Sequence, residues 1–170
     1  MSVPQRDGPH EEPEYPKSYA CTVSTMQIRA YDAQDEPAVL MLWEQCGLTR
    51  PWNDPRKDIR RKLEVQPDLF FVGVVGERLV ATMMVGYEGH RGWINYLAVA
   101  PDLRHGGLGR RLMEHAERAL AELGCPKINV QVRTPNVAAL GFYRRVGYVV
   151  DDVVNLGKRL EVDDPGGASD

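Results

Sequence analysis

Cysteine is scarce in this chain: Cys21, Cys46 and Cys125 are the three in 170 residues, an odd number at wide spacing with no Cys-x-x-Cys pair. Such a set suggests neither a disulfide framework nor a thiolate metal or redox site, so the thiols read as free and no metal is expected. No apolar run approaches the roughly 18 residues needed to cross a bilayer. The opening MSVPQRDGPHEEPEYPK has acids and prolines where an export signal needs an apolar core. A cytoplasmic location without membrane contact is therefore the expectation. A surplus of one charge is missing too. The net charge is −3, and without residues 1–25 and 161–170 the chain holds 19 basic against 16 acidic side chains. That mildly basic centre suits an anionic ligand, but it is not the basic stripe with stacking aromatics that nucleic-acid binding needs.

What is present is a chain with 43% hydrophobic residues, long enough for one domain with a sizeable core. Residues 1–25 contain four prolines and no sustained periodicity. They read as a flexible extension, because such a segment buries too little apolar surface to offset the entropy of ordering. A domain spans 26–160, and 161–170 is an acidic tail. Within the domain, MQIRAY alternates as a strand, and Asp35-Glu36-Pro37 opens a helix with Val39, Leu40 and Trp43 on one face. Arg50-Pro51-Trp52-Asn53-Asp54-Pro55 is a rigid connection in which Asp54 can cap a second helix running to about Val65.

Two β-branched runs, Leu69 to Val75 and Leu79 to Tyr87, flank Gly76-Glu77-Arg78 as a hairpin, and Trp93 to Val99 forms a third strand of that block. Leu108, Leu112, Ala116, Ala119, Leu120 and Leu123 fall at helical spacing. A strand is expected over Lys127 to Arg133, then a helix capped by Asn136 or Thr134 and ending at Arg145, then a strand from Tyr148 onward. The order is β-α-α-β-β-β-α-β-α-β, an α/β arrangement with a mixed sheet and helices on its faces.

Between the third strand of the block and the helix that follows lies Arg104-His105-Gly106-Gly107-Leu108-Gly109. Backbone N–H groups at a helix N-terminus lack intrahelical partners, the helix dipole is positive there, and glycines admit an anion close to the backbone. Arg104, Arg110 and Arg111 can add charge-assisted contacts. The Gly-Lys-Ser/Thr of a nucleotide P-loop is absent, and Gly106-Gly107-x-Gly109 departs from the dinucleotide fingerprint Gly-x-Gly-x-x-Gly.

Arg104, Gly107 and Gly109, preceded by Leu97-Ala98-Val99-x-Pro101, resemble the Arg/Gln-x-x-Gly-x-Gly/Ala signature of the GNAT acyl-CoA N-acyltransferase family. Downstream, Asn136-x-x-Ala139-x-x-Phe142-Tyr143-x-x-x-Gly147-Tyr148 is similar to that family's second signature. The resemblance covers about residues 26–160. Arg50 to Pro55, Gly86 to Gly92 and Gly124 to Ile128 bring it near the YpeA group of bacterial acetyltransferases.

This resemblance implies an acetyl-CoA-dependent N-acetyltransferase in which acetyl-CoA is the cosubstrate and an amine the acceptor. Leu97, Ala98 and Val99 would pair with the pantetheine arm, where a bulge splays their strand from the next one. Arg104, His105, Gly106, Gly107, Leu108, Gly109, Arg110 and Asn136 would hold the rest of the cofactor. Tyr143 matches the family's tyrosine beside the departing thiolate. Many relatives carry a glutamate base at the position of Asn95, but an asparagine can at most order a water. Glu88 and His90 could relay a proton or simply form a solvated turn. Trp52 and Asp54 border the acceptor side, with helix capping an equal explanation of Asp54. A non-catalytic coenzyme A-binding module is the alternative to an enzyme, and apolar residues in Val149 to Leu160 would suit a homodimer.

Overall fold

The computed structural model describes residues 25–161 and 163. The reading of 1–25 as a flexible extension lies outside the described residues except at Thr25, as does most of the acidic tail. Five strands form one sheet in the order β1 (Gln27–Ala30), β2 (Phe70–Val75), β3 (Arg78–Tyr87), β4 (Gly92–Val99) and β5 (Ile128–Val130). The first four are antiparallel neighbours, and β5 joins β4 in parallel. Helices α1 (Glu36–Gln45), α2 (Pro55–Val65), α3 (Leu108–Glu122) and α4 (Val137–Arg145) accompany them among the described residues.

The central strands β2 and β3 are covered on both faces, which is why they read as nearly continuous apolar runs. On one face, Trp43 of α1 stacks near Phe70 and donates its indole N–H to Thr82 Oγ1 at 2.8 Å. On the other, Phe71 meets His115 of α3 edge-on, at 4.6 Å between ring centroids. Trp43, Phe70, Leu112 and Leu120 are fully buried, and burying each such side chain contributes about 1.5–3 kcal/mol. The indole needs the threonine, since an unsatisfied buried donor costs about 1–3 kcal/mol.

Local chemistry sets the helix boundaries. Asp54 accepts from Arg56 N–H at 2.8 Å and caps α2, with Pro55 at its first position. Asn136 does the same for α4, accepting from Ala139 N–H at 3.1 Å. The parallel step from β4 to β5 requires a crossover, and α3 supplies it.

Two features depart from the sequence pattern. Over Lys127 to Arg133, strand geometry is confined to Ile128–Val130. The strand expected from Tyr148 onward is not formed among the described residues, and Val149, Val150, Val153, Val154, Leu156 and Leu160 are exposed. A run of valines alone does not make a strand; it needs a ladder partner. Here the segment runs beside β5 through side chains, with Lys127 Nζ on Asp151 at 2.5 Å and Gln131 on Asn155 at 2.9 Å.

Candidate active site

The turn before α3 and the bulge in β4 hold the left-handed non-glycine residues His105 and Tyr96, unusual backbone among the described residues. Gly107 is the N-cap of α3 in the left-handed region at φ 85°, and no side chain caps the helix there. His105 just before it is also left-handed, at φ 67°. The first-turn N–H groups of α3 are thus left for an external acceptor, at the positive end of the helix dipole. Arg104 is exposed beside the turn and is anchored through Nε to the Val99 carbonyl at 3.3 Å. Gly109 lies beneath Phe142 of α4, where a Cβ would sit 3.1 Å from the ring. Arg110 donates to the Arg145 carbonyl at 3.1 Å, tying α3 to the C-terminal end of α4.

Within β4 the register against β3 slips by one residue: Thr82 faces Ala98 but Met84 faces Asn95. The extra residue makes a bulge at Tyr96, which sits at φ 50°, an uncommon conformation for a residue with a side chain. On its other side β4 pairs with β5 only at Gly92, Trp93 and Ile94. Beyond Ile94 the two strands part, leaving Ala98 and Val99 paired on the β3 side alone among the described residues, with Leu97 between them and the bulge. The arrangement fits an extended amide-bearing arm ending in a diphosphate: the gap offers strand-edge hydrogen-bonding groups, and the turn offers an uncapped helix start.

Tyr143 projects from α4 between Phe142 and Tyr148, in edge-on ring contacts at 5.2 and 5.7 Å. Burial pushes its hydroxyl up to about 12. Tyr143, Trp93, Ile128 and Tyr148 share a cleft of about 720 Å³ between β5, α4 and the segment after α4.

On the α1–α2 side the bulge is held by a polar network. The Tyr96 ring stacks on Trp43 at 3.9 Å, and its hydroxyl donates to Asp58 Oδ2 at 2.6 Å. The same oxygen accepts from Asn53 Nδ2 at 2.7 Å, and Asp58 Oδ1 accepts from Arg61 at 3.1 Å. Burial first, and then the hydrogen bond to Asp58, raises the Tyr96 phenol far above its ordinary range. Asp58, Arg61 and Tyr96 carried no motif in the sequence. Asp58 reads there as an ordinary acid in the first turn of a helix, and Tyr96 as one residue in a mostly apolar strand.

The other candidates fall into place unevenly. Asn95 is exposed, just before the bulge. Asp54 is occupied in capping α2, one of the two roles open to it. Trp52 is 42% exposed, and its carbonyl accepts from Arg159 at 3.2 Å. Glu88 closes its own turn, accepting from the N–H groups of Arg91 and His90, which lower its carboxyl below the ordinary range. Asn136 spends its side-chain oxygen on the α4 cap. Cys46 points its thiol at the Val99 carbonyl at 3.4 Å, a donor role rather than that of a thiolate held by a base.

Residues 37–148 match the acetyltransferase (GNAT) family. An acetyltransferase of Yersinia enterocolitica is 46% identical over 138 residues, 81% of this chain and 98% of that protein. An acetyltransferase of Pectobacterium atrosepticum is 47% identical over 135 residues, 79% of this chain and 96% of its own length. Among solved structures, Ard1 from Thermoplasma volcanium superposes with a TM-score of 0.68 at 23% identity, over 75% of this chain and 84% of that one. The ribosomal-protein-S18-alanine N-acetyltransferase of Escherichia coli gives 0.60 at 22% identity, over 72% and 76%. At these identities the structural likeness establishes the fold.

Proposed function

The chain belongs to the GNAT family of acetyltransferases, and from that premise we propose that it moves the acetyl group of acetyl-CoA directly to a primary amine within a ternary complex. The observation that supports this reading most is the gap between β4 and β5 opening beside the uncapped start of α3. Bound acetyl-CoA supplies an acetyl thioester, activated toward an amine. The backbone N–H groups around Gly107 to Gly109 and the Arg104 guanidinium hold the diphosphate, with His105, Gly106 and Leu108 shaping the turn. Leu97, Ala98 and Val99 take the amide-bearing arm along the open strand edge, and an N–H of the bulge polarises the thioester carbonyl. Arg110 and Asn136 act one step back, by fixing α4 against α3 and capping it.

Tyr143 donates a hydrogen bond to the departing sulfur. With its hydroxyl at about 12 and a thiol near 8.5, complete proton transfer is uphill by about 5 kcal/mol, so donation without transfer is the role that fits. Asn95 orders a water for the proton leaving the amine, since an amide accepts no proton itself. Without a carboxylate there, amines of low pKa are favoured: an α-amine near 7.7–8 is neutral in roughly a tenth or more of molecules at pH 7, a lysine in about one of 2,500. A protein or peptide α-amine therefore leads over lysine, with small-molecule amines also open. Among the described residues no helix is long and apolar enough to cross a membrane. The exposed valines after α4 suit pairing with a second copy.

Calorimetric titration with acetyl-CoA tests the reading. Binding should be saturable for the intact protein and lost in Gly107→Glu, which fills the turn with a side chain and a negative charge. A folded wild-type protein that binds no acetyl-CoA overturns it.

A further inference from the structure

Thr82 and Asp163 are the two buried polar side chains among the described residues, and Asp163 is the one that carries a charge, at 2% exposure. Its carboxylate is gripped on both oxygens. Oδ1 accepts from Arg61 at 2.8 Å and lies 3.6 Å from Lys57 Nζ. Oδ2 accepts from Arg61 at 3.1 Å and from the Asp54 backbone N–H at 3.1 Å. The two-pronged guanidinium contact is shaped for a planar carboxylate, and an ammonium and an amide complete the shell. Arg61 and then the Asp54 N–H hold this carboxyl below its ordinary range.

Three observations make this more than a tether. Residues 149–160, which lead to Asp163, form no strand and leave their apolar side chains exposed, so the segment is held by exposed polar contacts, Lys127 with Asp151, Gln131 with Asn155 and Arg159 with Asn53, and not by a ladder or a core. A cleft of about 640 Å³ separates the segment from α2, lined by Asn53, Arg61, Lys158 and Asp163 among others. Finally, Arg61 also binds Asp58, whose other oxygen accepts from Tyr96 at the bulge. The carboxylate receiver and the end of the open strand edge are thus joined through two side chains.

We propose that Lys57, Arg61 and the Asp54 N–H form an acceptor subsite for a carboxylate, so that the amine to be acetylated carries a carboxylate group and Asp163 holds its place in the free enzyme. This rests on the acetyl-transfer reading above for the word acceptor, though not for the receiver itself. An incoming carboxylate displaces Asp163 and exchanges one bidentate pair for another, while Asp151, Asn155 and Arg159 keep the preceding segment in place. A ligand offering a neutral amide in the same place meets the fork without a charge.

The receiver is tested on the full chain by following the Asp54 backbone amide resonance during titration with glutarate, with glutaramide as the neutral control. Asp163→Ala should bind glutarate at least tenfold more tightly than wild type, because the competitor in cis is gone. Adding Arg61→Gln should abolish that binding, and glutaramide should leave the resonance unmoved. Asp163→Asn keeps the shape of the segment and should fall between the two. Equal glutarate affinity in wild type and a folded Asp163→Ala, or binding that survives Arg61→Gln, overturns the receiver. For the acceptor role, Asp163→Ala should raise kcat/KM for α-amino acids relative to their primary amides by about tenfold; a gain shared equally by the amides overturns it. Glutarate binding with an enzyme inert toward every amine would sink the acetyl-transfer reading and leave the receiver standing.

Discussion

The Tyr96 hydroxyl donates to Asp58 Oδ2 at 2.6 Å, and this bond clamps the one residue of β4 whose backbone is left-handed. A tyrosine at φ 50° is strained, and such strain persists only where its surroundings over-determine it. Trp43 beneath the ring and Asp58 beyond the hydroxyl do that here. Hydrogen bonds to a charged group are worth about 1.5–3 kcal/mol. Tyr96→Phe should therefore lower unfolding stability by an amount in that range and reduce kcat as the bulge relaxes. Denaturant unfolding and steady-state kinetics check both; unchanged values in each would show that the bulge does not depend on this bond.

Gly109→Ala should destabilise by roughly 1 kcal/mol, since overpacking costs about 1–3 kcal/mol and alanine's better helix propensity returns about 1. The clash is with the Phe142 ring, 3.1 Å from the added carbon. Phe142→Leu alongside it should recover part of the loss, a non-additivity that a double-mutant cycle measures. Strict additivity would place the strain elsewhere.

Tyr143→Phe should lower kcat roughly 100-fold with little change in acetyl-CoA affinity, the lower end of what positioned proton-donating groups supply. Because burial holds the hydroxyl at about 12, the wild-type pH profile of kcat should show no alkaline loss assignable to this residue below about pH 11. A descending limb near pH 9 that vanishes in Tyr143→Phe would contradict the burial argument.

Lys62 donates to the Val85 carbonyl at 2.5 Å, and burial lowers its ammonium to about 8. The unfolded chain keeps that lysine near 10.4. Between about pH 8 and 10.4 the unfolded state holds more protons, so stability contributed at this site rises with pH through that window and its penalty is fully present below pH 8. Relative to Lys62→Met, wild type should gain stability between pH 7.5 and 10 in urea titrations. A constant difference would mean that the lysine titrates alike in both states.

Asp54→Ala should cost about 1 kcal/mol through loss of the α2 cap, and Asp54→Ser should recover most of it. With the backbone N–H of residue 54 retained, KM for the acceptor should follow the extent of α2 unfolding and not the charge at 54. A KM rise in Asp54→Ser at full stability would restore a substrate-binding role to that carboxylate.

Much of this was legible from residue order. The glycine turn before α3 could be located because Gly107 sits at a left-handed N-cap, and the start of α4 was marked by two capping residues, Asn136 and Thr134, of which the fold uses Asn136. The bulge followed from the family resemblance, but its residue did not, because a one-residue slip at Tyr96 leaves no mark in a run that is apolar at nearly every position. Asp58, Arg61 and Asp163 were invisible for another reason: the contacts that give them a role, Asp58 with Tyr96 and Arg61 with Asp163, join residues 38 and 102 apart in the chain, and charge in a helix reads first as solvent-facing. The segment after Tyr148 misled because it is rich in β-branched valine, whereas a strand also needs an edge to pair with, and β5 spans only three residues.

The parallel step from β4 through α3 to β5 has an evolutionary corollary. Everything assigned to cofactor binding lies in one uninterrupted stretch, from Gly92 to Arg145, whereas the opposite wall is assembled from separate pieces: α1, α2, the link between them and the chain after Tyr148. Insertions or charge changes in those pieces that spare the Trp43 and Asp58 contacts to Tyr96 leave the contiguous stretch intact. Descendants of one ancestor can thus diverge in what they modify while inheriting the donor half unaltered, and recombination at the β3–β4 turn would exchange one half without the other.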